Sequence, residues 1–148
     1  MTRRPWIAVT VGAAATVVAA AGPAPAKIVA GAPSRDVKLG LNEFKINPFA
    51  TQARAGTVRI SAVNHGRKVH EVLVVRWTKR SGLPVRNRRI DEAALKRAGA
   101  VVGEISDIKA GRTGTKTFRL DKGTYAVFCN LPGHYGAGMR ATLVVRSR

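Results

Sequence analysis

The chain has 148 residues, 45% of them hydrophobic and 23% charged, the size and balance of one globular domain. With 26 Lys and Arg against 8 Asp and Glu its formal charge is +18, so anionic partners or surfaces come into consideration. Aromatics at 5% weaken the case for base stacking, and so for nucleic-acid binding; one cysteine excludes an intrachain disulfide framework, and three histidines exclude a centre of many imidazoles.

Residues 1–26 have the pattern of an export signal. Arg3 and Arg4 precede an apolar stretch from Trp6 to Gly22, and Ala24-Pro25-Ala26 offers a cleavage site before Lys27. An uncleaved N-terminal anchor is the alternative, although the stretch is short for the roughly 20 residues that span a bilayer. The Arg pair also suits a twin-arginine signal. The expected location is outside the cytoplasm, in a periplasm or on the outer face of a membrane. There a lone thiol is a liability unless something occupies it.

Residues 27–36 read as a flexible lead-in and 37–148 as one domain. Val37, Leu39 and Leu41 alternate with Lys38, Gly40 and Asn42, as in a half-buried strand. Asn47-Pro48 and Ala55-Gly56 mark turns, and Val58, Ile60 and Ala62 form a second alternating strand that ends at Asn64-His65-Gly66. Val72–Val75 is a continuous apolar run, consistent with a core strand. Residues 76–90 carry Arg76, Lys79, Arg80, Arg86, Arg88 and Arg89 with no acid, and read as a basic loop or insertion. Asp91–Ala98 predicts a short helix with Asp91 as its cap, Glu92 at its positive end, Lys96 and Arg97 at its negative end, and Gly99 beyond it. Strand patterns resume over 101–108, 115–120, 124–129 and 140–146. Seven or eight short strands with turns between them predict an antiparallel β-sandwich.

The chemistry is concentrated in Cys129-Asn-Leu-Pro-Gly-His134-Tyr-Gly-Ala-Gly-Met139. A thiol, an imidazole and a thioether follow one another with spacing C-x4-H-x4-M, between two strands and among turn-forming Pro132, Gly133, Gly136 and Gly138. Each alone has an ordinary explanation: a small buried hydrophobe, a surface histidine, a core methionine. Together in one loop they point to a metal. A further ligand is expected from His70, just before the apolar run, with His65 as its competitor in an exposed turn. Two imidazoles, a thiolate and a weak thioether describe a blue-copper site. Zinc is the alternative metal, and a Cys–His nucleophile the alternative chemistry.

These residues resemble the cupredoxin family, the blue type 1 copper proteins that include the plastocyanin, azurin, rusticyanin and sulfocyanin groups. The resemblance rests on 37–56, on 64–75 with Asn64 before His70, and on 123–145 with Tyr125, Phe128-Cys129, Pro132-Gly133-His134 and Gly138-Met139. It implies a cupredoxin-like Greek-key β-sandwich with a short helix in a basic insertion. It implies one type 1 copper, with His70, Cys129 and His134 as strong ligands and Met139 as the axial one. Many members place Asn after the first ligand histidine to tie the two ligand loops together. Here Glu71 stands there, expected to point outward. With every position filled, the implied function is single-electron transfer without substrate turnover. The alternative is a copper module for transport, storage or resistance. An apolar patch of Leu131, Pro132, Tyr135, Gly136 and Ala137 around His134 is expected to dock a partner. The basic surface suggests an acidic redox protein, a cytochrome or oxidase subunit, and nucleic acid is not expected as a partner. An anionic membrane surface is a second candidate partner, and the chain is expected to be a monomer.

Overall fold

A computed structural model describes residues 34–78 and 82–147. The export signal over 1–26 and most of the lead-in lie outside the described residues. Ser34–Asp36, expected to belong to the lead-in, are instead tied into the sheets. Ser34 bridges Ala53, and the Arg35 carbonyl accepts from the Arg59 amide at 2.8 Å.

The two alternating segments become neighbours. Strand β1 (Asp36–Asn42) lies parallel to β4 (Gly56–Asn64), with Leu39 opposite Ala62. Strand β2 (Lys45–Pro48) folds back on β1, and β9 (Thr113–Leu120) pairs antiparallel with β4, giving the order β2-β1-β4-β9. The second sheet contains β3 (Gln52–Arg54), β5 (His70–Arg76), β8 (Val101–Ile108), β10 (Gly123–Phe128) and β11 (Arg140–Arg146), in the order β3-β11-β10-β5-β8. The sheets face each other across Leu39, Leu41, Ile60, Val74, Val127 and Leu143, all buried. Each such side chain contributes about 1.5–3 kcal/mol by leaving water.

The result is the expected Greek-key β-sandwich, although its two sheets hold nine strands rather than seven or eight. The pairing is mixed rather than wholly antiparallel: β1–β4 and β3–β11 run parallel. The chain leaves the first sheet after β2, adds β3 to the other, and returns through β4 in the direction of β1. Asn47-Pro48 is not a turn but the end of β2. Pro48 sits opposite Leu39 on an edge strand, where a missing N–H does no harm. The turn lies earlier, at Glu43-Phe44, where Phe44 takes a φ of 66°.

The run Val72–Val75 is apolar throughout because β5 is covered on both faces. Val72 and Val74 enter the sandwich, while Leu73 and Val75 pack with Ile90, Leu95, Phe128 and Tyr135 in a second cluster outside it. The basic segment supplies that cover. It holds a minimal hairpin, β6 (Val85–Arg86) and β7 (Arg89–Ile90), turned by Asn87 and Arg88 at φ of 50° and 60°. Helix α1 (Glu92–Arg97) follows as predicted, with the Asp91 carboxylate accepting from the Ala94 amide at 2.9 Å and Gly99 at a φ of 61° beyond its end. Among the described residues no helix is long and apolar enough to cross a membrane.

Candidate metal centre

The predicted site residues lie at one end of the sandwich, on strand ends and a loop. His70 opens β5 opposite Ile108 and is fully buried. Asn64, at the end of β4, fixes the segment leading to it. Its amide donates to the Lys68 and Ile108 carbonyls, each at 2.7 Å, and its oxygen accepts from the Gly66 amide at 2.9 Å. Cys129 follows β10 and Met139 precedes β11, both fully buried. The loop between them is closed by its own backbone. The Cys129 amide donates to the Met139 carbonyl at 3.1 Å, and the Met139 amide to the His134 carbonyl at 3.0 Å. Gly133 and Gly138, with φ of 82° and 109°, make the bends that a side chain would strain.

His134 Nδ1 lies 3.3 Å from both His70 Nδ1 and Cys129 Sγ. The three donor atoms all fall within 4.8 Å of one another. Donors about 3.3 Å apart suit one small cation held by bonds of about 2 Å. The donor set is also right for copper: two imidazoles and a soft thiolate, with the thioether-bearing Met139 hydrogen-bonded through its backbone to both Cys129 and His134. His65 is exposed and outside this cluster.

Burial favours the uncharged form of each group. It lowers the pKa of His70, as does the neighbouring His134, with Glu43 opposing. It lowers His134 too, as does Lys68, again with Glu43 opposing. Both imidazoles therefore favour the neutral form that can bind a cation. Burial pushes the Cys129 thiol up, so an incoming cation must displace its proton.

Glu71 corrects one expectation: it does not point outward. It is half-buried, and its carboxylate accepts from the Asn130 amide at 2.9 Å, joining the segment after His70 to the segment after Cys129. Burial pushes its carboxyl up, and the Asn130 N–H pulls it back. Asn130 itself was not legible as a functional position. It is buried, and its side chain accepts from the Ile90 amide at 2.7 Å. It donates to the Ile90 carbonyl at 3.0 Å and to Glu92 Oε1 at 2.7 Å. The basic insertion is thereby clasped to the residue that follows Cys129.

The expected patch around His134 also changes. Tyr135 is buried, edge-on to Phe128 at 5.4 Å, and belongs to the outer cluster. Pro132, Gly136 and Ala137 are exposed and Leu131 is half-buried. The aromatic beside His134 is Phe44, 42% exposed, with its ring edge-on at 5.5 Å. No Gly or Pro marks the Glu43-Phe44 turn, and nothing local in the sequence brings it to His134.

A family model described as copper binding proteins of the plastocyanin/azurin family matches residues 43–146, well over half of the chain. Auracyanin-B of Chloroflexus aurantiacus is 51% identical over 39 residues, 26% of this chain and 17% of that protein, so the match spans under a fifth of the relative's length. Among solved structures, reduced auracyanin from Roseiflexus castenholzii superimposes with a TM-score of 0.60 at 18% identity, covering 78% of this chain and 99% of that one. Auracyanin B gives 0.58 at 24% identity, covering 82% and 95%. At such identities the structural likeness carries the fold.

Proposed function

The chain belongs to the plastocyanin/azurin family of copper-binding proteins, and from that premise we propose that it is an exported carrier of single electrons between redox partners. The observation that carries this reading is the buried triad His70, Cys129 and His134, with Met139 beside it, which fits a single type 1 copper. Copper bound there supplies one-electron exchange. His70 Nδ1, His134 Nδ1 and Cys129 Sγ would hold it, with the thioether of Met139 as the fourth candidate ligand.

The chain's own residues do the rest. Strand ends and the hydrogen-bonded loop fix the donors in place, so little has to move when the charge changes. Full burial of His70, Cys129 and Met139 excludes water and favours retention of the ion, which supports the carrier over a transport or storage module. His134 is 6% exposed and lies against half-exposed Phe44, which makes this the edge for electron exchange. Pro132 and Ala137 complete a small apolar docking surface. The formal charge of +18 would speed encounter with an acidic partner and make it salt-sensitive. Export rests on the pattern of residues 1–26.

The test is a visible and paramagnetic-resonance spectrum after adding one equivalent of Cu(II). The expected result is an intense thiolate-to-copper band with an unusually small copper hyperfine splitting. A colourless protein that still binds zinc or Cu(I) would move the assignment to metal trafficking.

A further inference from the structure

Among the described residues, His70 Nε2 is the buried side-chain nitrogen without a hydrogen-bond partner. Leaving such a group unpaired is costly, so its surroundings are informative. When Nδ1 faces the other donors, the proton of the neutral ring sits on Nε2. The group facing Nε2 is the Glu43 carboxylate, with Oε1 at 3.7 Å.

Glu43 reaches this place from the turn between β1 and β2, and the segment leading into His70 is built around it. Glu43 Oε1 accepts from the Arg67 amide at 2.6 Å and from the Lys68 amide at 2.9 Å. A Cβ on Gly66 would lie 2.5 Å from the same oxygen, so the glycine leaves the space that the carboxylate fills. Three consecutive residues thus cradle one carboxylate beside a buried imidazole.

We infer that Glu43 is a positioning residue that steadies the His70 ring and lowers the reduction potential of the copper; this rests on the copper reading above. At 3.7 Å the contact is electrostatic rather than a hydrogen bond. A fixed negative charge behind a ligand imidazole makes that ligand a better donor, and better donation stabilises Cu(II) more than Cu(I). The Arg67 and Lys68 amides hold the charge in place, so the same carboxylate both shapes the ligand segment and polarises the ligand.

Glu43→Gln separates these roles, because the amide oxygen can still accept from Arg67 and Lys68 while the charge is gone. In the full chain, the expected result is a blue protein whose Cu(II)/Cu(I) affinity ratio falls about tenfold, raising the one-electron potential by about 59 mV. Gly66→Ala, which displaces the carboxylate, should move the potential the same way and serves if the first variant does not fold. A readout without copper is the nitrogen-15 resonance of His70 Nε2 in the zinc-loaded protein, expected to shift in Glu43→Gln. A blue variant with unchanged potential and an unshifted resonance would overturn the inference. Wild-type protein lacking the thiolate band would instead overturn the copper reading, and the role given to Glu43 with it.

Discussion

Two segments bring the donors together, and they are built differently. Residues 129–139 hold three of the four candidate ligands and close on themselves, Cys129 to Met139 and Met139 to His134, through backbone hydrogen bonds. The other segment, 64–70, offers His70 alone and borrows its shape. Asn64 pins it to the end of β8, and Glu43 pins it to the turn after β1. A donor cluster can therefore be self-supporting on one side and dependent on distant contacts on the other. Changes should act directly on ligation in the first segment, and through position in the second.

The largest effect expected is from Cys129→Ser, which should abolish the thiolate-to-copper band entirely in the visible spectrum. His70→Ala should bleach or strongly shift the band, while His65→Ala should leave it unchanged, since His65 is exposed and outside the cluster. The opposite pattern would mean that the borrowed segment supplies a different ligand. A smaller effect is expected from Asn64→Ala, which removes two donated bonds and one accepted bond. Denaturant unfolding should show a loss of about 1–3 kcal/mol. The spectrum should broaden without vanishing, because the self-closed loop remains. The smallest change should come from Met139→Leu, which keeps the packing volume and removes the thioether. Copper should stay bound with a raised potential, read by redox titration.

The sequence revealed most where information is local. C-x4-H-x4-M, the Asp91 cap and the Val58–Ala62 alternation each announce themselves within a few residues. The double-sided burial of Val72–Val75 was half legible: the run signals a core strand, but not that the insertion covers its outer face. Glu43, Phe44 and Asn130 were not legible in their roles. Their partners lie 20 to 90 positions away, as with Asn130 and Ile90 or Phe44 and His134, and such pairings leave no periodicity to read. Asn47-Pro48 misled because turn chemistry and an edge strand tolerate the same residues.

The compactness of the 129–139 loop also has a consequence in time. Closing a chain segment costs entropy that grows with the logarithm of its length, so joining His70 to Cys129 costs about 1.5 kcal/mol more than joining Cys129 to Met139. The final hairpin, β10 with β11, can therefore gather a thiol, an imidazole and a thioether before β5 arrives beside it. On this entropy alone, the last donor to reach the site would be the one that travels farthest along the chain, and its arrival would complete the cage as β5 joins β10.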